Sequence, residues 1–249
     1  MNYNSYWTDR RTVRKYSDRP VSDALLNEML QKAAHAPTTG NMQLYSVIIS
    51  RTQEEKRALA PAHFNQPQVE GCAAVLTFCA DLNRMTEWCN ARKADPGFDN
   101  LQSLIAAILD TALLAQQFNT IAEQNGLGVC MLGTTTYNAP QIAKALGLPT
   151  LVVPVITLTV GYPAESPEDC GRLPVEAFVH YVRYRDYTPE SIDELYRDKE
   201  ERQDSKGFVA ENDKETLAQV FTDIRYPRSN NEHFSDVFKE YLEAAGIKI

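Results

Sequence analysis

The sequence predicts an α+β fold. Short runs of β-branched and apolar residues are interspersed with amphipathic helical segments, but without the regular strand–helix alternation of a doubly wound sheet. A segment from Asp99 to Asn125 is apolar around nearly its whole helical circumference, so it demands burial on every side, inside a large core or along a seam between subunits. The composition is that of a globular chain. Its 249 residues are 43% hydrophobic and 23% charged, enough for one large domain or two small ones, and a chain of this length buries roughly 70–75% of its unfolded surface without staples.

Each element has a local reason. Ser22 is placed to cap a helix carrying Leu25, Leu26, Met29, Leu30 and Ala33, with Pro37 as its stop. Tyr45 to Ser50 reads as a strand, Thr52 to Leu59 as a short charged helix, and Ala73 to Ala80 as a buried strand. The long apolar helix follows, with Gly126 as its stop. Its polar members Asp99, Gln102, Asp110, Gln116 and Gln117 argue against a membrane span. Val129 to Leu132 is a short strand leading into a Gly-Thr-Thr-Thr turn, and Pro140 and Gly147 bracket a helix. Leu151 to Val160 reads as a central strand in which Pro154 marks a bulge or an edge. A loop runs from Gly161 to Pro174. Beyond about residue 190 the chain is charged and helical: Asn212 and Glu215 have the spacing of a capping box, and Phe234, Val237, Phe238, Tyr241 and Leu242 form a stripe ending at Gly246.

Composition and spacing exclude several chemistries. Net charge is −8, which disfavours nucleic acid and anionic lipid as bulk partners. The four histidines lack metalloprotease spacing, and neither a G-x-S-x-G elbow nor a Walker lysine motif is present. Gly126, Gly128 and Gly133 sit after a helix and around a strand, the reverse of a dinucleotide fingerprint. Five cysteines with no C-x-x-C pair read as reduced, packed thiols, Cys170 excepted. With no run of 18 uncharged apolar residues and no leader-like core in MNYNSYWTDRR, a cytoplasmic setting is expected.

Three segments stand out. Residues 1–20 hold five cations against two acids, a net +3 in an acidic chain. Within them Arg10, Arg11, Thr12 and Arg14 offer forked guanidinium donors and a hydroxyl, a set that suits a phosphate. Taken alone, that segment is better explained as a solvated arginine-rich turn. Ala36 to Gln43 (APTTGNMQ) places two hydroxyls and two amides between a helix and a strand, as a polar-ligand loop or simply a helix stop does. Arg172 lies in the loop after the central strand.

Taken together, RRTVRKYSDRPVS, APTTGNMQ, FCADLNR, GLGVCMLG and GYPAESPEDCGRLP, in this order, resemble the nitroreductase-like FMN proteins, most of all the larger oxygen-insensitive NAD(P)H nitroreductases and flavin reductases with a C-terminal extension. The resemblance spans roughly the whole chain and is weakest over 190–230. It implies a central, mostly antiparallel sheet flanked by helices, in an intertwined homodimer whose seam includes helix 99–125. It divides the chain into an FMN-binding domain, 1–190, and an extension, 191–249. By resemblance, Arg10, Arg11, Thr12 and Arg14 hold the FMN phosphate and ribityl chain, and Arg172 is a second phosphate contact. Thr38, Thr39 and Asn41 approach the flavin across the dimer interface, Gln66 and Gln68 meet the ring edge, and Leu132, Gly133 and Thr134 line the ring through backbone groups. The implied activity is reduction of nitroaromatics, quinones or free flavins by NADPH or NADH through the flavin. A cofactor that does the redox chemistry itself explains why the chain shows no catalytic triad, metal site or acid–base pair. The alternatives are a specialised flavoprotein such as a reductive dehalogenase, or a non-catalytic flavin- or nucleotide-binding module.

Two departures bear on coenzyme and flavin. Cys170 stands where close relatives carry a basic residue, and residues 190–249 hold 15 acids against 9 bases where relatives gather arginines for the 2′-phosphate of NADPH. Lys199, Arg202, Lys206 and Lys214 are the nearest substitutes, so a modest, salt-sensitive preference for NADPH is expected.

Overall fold

The computed structural model describes residues 3–249, with side chains from Tyr6 onward. Met1 and Asn2, the start of the segment read above for a leader, lie outside the described residues. The chain forms two compact units, Met1–Pro167 with Phe234–Ile249, and Glu168–His233.

The first unit begins with α1 (Tyr3–Asp9) and α2 (Asp23–Ala33), the latter capped as expected by Ser22, whose hydroxyl accepts from Leu25 N at 3.2 Å. Then come β1 (Tyr45–Ser50), α3 (Gln53–Leu59), a 3₁₀ turn over Ala60–His63, and α4 (Pro67–Gly71). Thr52 and Glu55 close a capping box on α3. Next follow β2 (Ala74–Asp81), α5 (Asn83–Ala91), α6 (Leu101–Gln124), β3 (Gly128–Leu132), α7 (Ala139–Leu146) and β4 (Val152–Gly161). The four strands make one open sheet in the order β1-β2-β4-β3, antiparallel at every pairing.

Alternation along the strands builds two apolar layers. On one face Leu76, Phe78, Leu158 and Val160 meet Leu26 and Met29 of α2 and Leu114 and Phe118 of α6, with the Phe78 and Phe118 rings 5.8 Å apart. On the other, Val75, Cys130 and Leu132 pack with Leu59, Val69 and Ile142. A third cluster joins Leu44, Leu82, Leu104 and Val153 to Leu242 and Ile247 near the C-terminus.

Pro154 sits beside a bulge and on a locally unpaired edge of β4, so both readings of it hold. The β2–β4 register shifts between Phe78, opposite Ile156, and Cys79, opposite Pro154, leaving Val155 unpaired. Because β3 pairs only as far as Thr157, β4 has a single neighbour at Pro154 and tolerates the missing donor.

Helix α6 departs from the expectation of burial all round. It is long and apolar enough to cross a membrane, but Leu104, Leu114 and Phe118 account for half of that pattern by packing on the sheet. Its opposite face carries Leu101, Ile105, Leu109 and Leu113, spaced by four and 43–57% exposed in the single chain.

The second unit contains α8 (Pro189–Glu201), α9 (Gln203–Glu211), α10 (Leu217–Gln219) and a π turn over Val220–Arg225. The capping box expected at Asn212 and Glu215 is formed instead by Thr216 and Gln219 at the start of α10. Asn212 closes α9, its Nδ2 donating to the Phe208 carbonyl at 2.8 Å. The last helix, α11, runs over Arg228–Ala244.

Candidate functional site

The arginine segment is fastened along the ends of β3 and β4. Val13 N donates to the Val129 carbonyl at 3.2 Å, Ser17 N to Tyr162 O at 2.8 Å, and Ala164 N to Lys15 O at 2.9 Å. Glu165 Oε1 accepts from the backbone N–H groups of both Arg14 and Lys15. Gly128 permits this approach, since a Cβ there would lie 2.6 Å from Val13 Cβ. Tyr16 tucks its hydroxyl into the same junction, donating to the Val13 carbonyl at 2.8 Å and meeting Thr159 Oγ1 at 2.7 Å, and burial raises its pKa far above the usual value.

The arginines do not share one role. Arg10 Nε donates to Glu123 Oε1 at 3.1 Å, and Arg10 Nη1 reaches Thr12 Oγ1 at 3.2 Å. Glu123 Oε2 accepts from the Tyr6 hydroxyl at 2.6 Å, and burial followed by that bond pushes the Tyr6 pKa up to about 12. Arg10 and Thr12 are thus partly committed to holding the segment on α6. Arg11 Nη1 bonds the Thr8 and Arg10 carbonyls, and Arg14 is exposed beside the Cys130 thiol of β3. Arg10 and Arg11 line a pocket of about 320 Å³ that also contains Asp9, Glu123, Gly128 and Glu165.

Strand β3 leads from there to a second group of residues. After Leu132 the chain turns through Gly133, Thr134 and Thr135, with the Thr135 hydroxyl donating to the Leu132 carbonyl at 3.1 Å. A Cβ on Gly133 would meet nothing within 4 Å, so its backbone is open to a ligand. The 3₁₀ turn and α4 pack beside this loop: His63 Nδ1 lies 2.8 Å from Thr134 Oγ1, and Asn138 Nδ2 donates to the Ala62 carbonyl at 2.8 Å. Gln68 Nε2 donates to Gln66 Oε1 at 2.7 Å, so Gln66 and Gln68 form one linked polar pair. Phe234, stacked on Tyr137 at 4.6 Å and edge-on to Phe64 at 6.1 Å, covers one margin of the same region.

Thr38, Thr39 and Asn41 lie on a different loop, organised by a carboxylate inside α6. Asp110, 1% exposed, accepts from Thr38 Oγ1 at 2.5 Å, Thr39 N at 2.8 Å, Thr39 Oγ1 at 3.0 Å and Leu44 N at 3.3 Å. These bonds hold Gly40, Asn41 and Gln43 at positive φ, a cost of about 1–3 kcal/mol for each of the two non-glycine residues. The two threonine hydroxyls bond to Asp110, and Thr39 and Asn41 are the exposed non-glycine residues of the turn. Arg172 belongs to the second unit, where it is exposed and shares a pocket of about 360 Å³ with Cys170, Lys199 and Arg202.

A family model for nitroreductases matches residues 8–162, the stretch that carries the arginine segment, both polar loops and all four strands. The chain belongs to the nitroreductase family. An oxygen-insensitive NADPH nitroreductase from Salmonella typhimurium is 31% identical to it over 175 residues, 70% of this chain and 71% of that protein. An FMN reductase [NAD(P)H] from Bacillus subtilis is 27% identical over 97% of this chain and 96% of its own. A solved structure from Bacteroides fragilis NCTC 9343 superimposes with a TM-score of 0.97 at 49% identity, over 98% of this chain and all of that one.

Within this nitroreductase chain, the residues that sequence reasoning passed over are mostly acids that organise the loops. Asp110 counted only against a membrane span, although a single carboxylate on the buried side of an apolar helix signals a buried acceptor. Glu123, 9% exposed near the end of the same helix, carries the same signal. His63 was set aside with the other histidines for want of metal spacing, and its place beside Thr134 is a tertiary contact 71 residues apart.

Proposed function

We propose that this protein is an FMN-dependent NAD(P)H oxidoreductase, active as a homodimer, that reduces nitroaromatics, quinones or free flavins. Membership of the nitroreductase family supports the reading. The observation that carries it is the line of donors along β3, from Arg14 beside Cys130, through the open backbone of Gly133, to Thr134 and the Gln66–Gln68 pair.

The donor set suits FMN. Arg11 and Arg14, the latter exposed beside Cys130, are cations suited to a phosphate dianion. Gly133 lets a planar ring approach the backbone without a side chain in the way. Thr134, Gln66 and Gln68 present hydroxyl and amide groups to the ring's polar edge. FMN held there would supply the redox chemistry that links a nicotinamide to the acceptor replacing it. The chain's own work is to bind and orient: the arginine segment anchors one end, and the β3 exit loop fixes the other. The exposed apolar row on α6 supports the dimer, because four aligned side chains of this kind call for a partner surface.

Purified protein carrying a flavin absorbance band that NAD(P)H bleaches, and that menadione or nitrofurazone restores in turn, meets the proposal. A colourless protein that neither binds added FMN nor oxidises NAD(P)H refutes it.

A further inference from the structure

His63 is wholly buried, and only one of its ring nitrogens has a partner. Nδ1 lies 2.8 Å from Thr134 Oγ1, whereas Nε2 is sealed from water with no hydrogen-bonding atom in reach. Burial drives the imidazole pKa down to about 4, so at neutral pH the ring carries a single N–H. Two tautomers are available. If the proton sits on Nε2, an N–H is buried without an acceptor, the rarer and more costly kind of orphan. If it sits on Nδ1, the N–H is satisfied by Thr134 Oγ1 and only a lone pair goes unused.

The Nδ1–H tautomer has a consequence for Thr134. Its oxygen is then an acceptor toward His63, and its own hydrogen must point elsewhere. Thr134 is half-exposed and sits in the turn leaving β3, and among the described residues its hydroxyl makes no other hydrogen bond. We propose that His63 is a positioning residue that holds the Thr134 hydroxyl as a donor aimed at an acceptor atom of the flavin ring. The inference rests on the FMN reading above and deepens it, adding a side-chain donor, oriented from the buried side of the loop, to the backbone groups of Leu132, Gly133 and Thr134.

Such a donor favours the electron-rich reduced ring over the oxidised one, so it acts on the flavin's potential as well as its affinity. The test titrates FMN into flavin-free protein and measures the dissociation constant and midpoint potential of the bound flavin for wild type, T134V, T134S, H63L and the double variant H63L/T134V. T134V is expected to weaken FMN about 3- to 10-fold, the worth of one hydrogen bond, and to move the potential to a more negative value, while T134S keeps both. H63L should shift both in the same direction, and the double variant should add nothing to T134V, because His63 acts through that hydroxyl.

A wild-type potential retained in T134V, or full additivity in the double variant, overturns the proposal. The tautomer is read without any substitution from ¹⁵N spectra of histidine-labelled protein: protonation at Nδ1 is expected, and protonation at Nε2 overturns it even if H63L does not fold. Wild-type protein that takes up no FMN defeats the parent reading itself, an outcome distinct from FMN binding that Thr134 does not influence.

Discussion

Replacing Asp110 tests how the 38–44 loop is held. Each carboxylate oxygen accepts from a backbone N–H, Oδ1 from Thr39 and Oδ2 from Leu44, and each also takes a threonine hydroxyl. Asp110→Asn keeps the shape but turns one oxygen into an NH₂ group. Whichever way that amide is flipped, the NH₂ faces one of the two backbone N–H groups, so a donor meets a donor. Hydrogen bonds to a charged group contribute about 1.5–3 kcal/mol each, and a buried donor left unmatched costs about 1–3 kcal/mol. Leu44 is buried and its N–H has no route to water, whereas Thr39 is exposed and can be rehydrated. The expected loss is about 2–4 kcal/mol for Asp110→Asn and about 3–5 kcal/mol for Asp110→Ala. At about 2–4 °C per kcal/mol for a chain of this size, Asp110→Ala should melt roughly 6–20 °C below wild type. Thermal unfolding followed by circular dichroism measures it. An asparagine variant melting within about 2 °C of wild type would refute the account of Asp110 as the acceptor on which the loop is built.

Arg11→Glu with Arg14→Glu should leave a folded protein whose FMN affinity, read by fluorescence titration, falls by at least about two orders of magnitude. Arg10→Ala should mainly lower the melting temperature, because Arg10 is paired with Glu123. On α6, Leu109→Asp with Leu113→Asp places charge on the exposed apolar row and should give a monomer in sedimentation, whereas Leu114→Asp charges the core and should prevent folding. For His63, the folded pKa of about 4 lies below the unfolded value near 6.5, so the unfolded chain gains the proton first. The stability due to neutral His63 is therefore complete above pH 6.5 and is lost as pH falls toward 4, amounting to about 3 kcal/mol. A melting-temperature profile over pH 4–7 should show this component in wild type and lack it in His63→Asn.

Local patterns were read well where the determining contacts are themselves local. Ser22 caps α2, Gly147 ends α7 at φ 62°, and β1 and α3 lie within a residue of their expected bounds, because each depends on neighbours a few positions away. The capping box near residue 215 shows the limit of such reading. Asn212-x-x-Glu215 and Thr216-x-x-Gln219 both satisfy the spacing, and only the path of the chain decides that the second forms. Pro154 was legible as a bulge or an edge, and both hold, because the β2–β4 register slips beside it and β3 ends opposite Thr157, pairings set elsewhere in the chain. In the site, the residue types at Thr38 and Thr39 stood out, but what their hydroxyls touch did not. Asp110 lies 72 positions from Thr38, within a helix whose composition directs attention to its leucines.

The C-terminal residues tie the first unit together in a way that bears on its synthesis. Ile247 is buried in the cluster with Leu44, Leu82 and Val153, and the backbone of Lys248 exchanges hydrogen bonds with Asp99 and Leu101 at the start of α6. Between these partners and the rest of the unit, the chain makes all of residues 168–233. While the polypeptide is still on the ribosome, the sheet and α6 have emerged, but Leu44, Leu82, Leu104 and Val153 lack their covering side chains. That nascent intermediate presents an uncovered apolar floor until residues 242–248 clear the exit tunnel. Completion of the unit therefore waits until after residues 168–233 have been made, and the interval before it is the period in which a chaperone has most to protect.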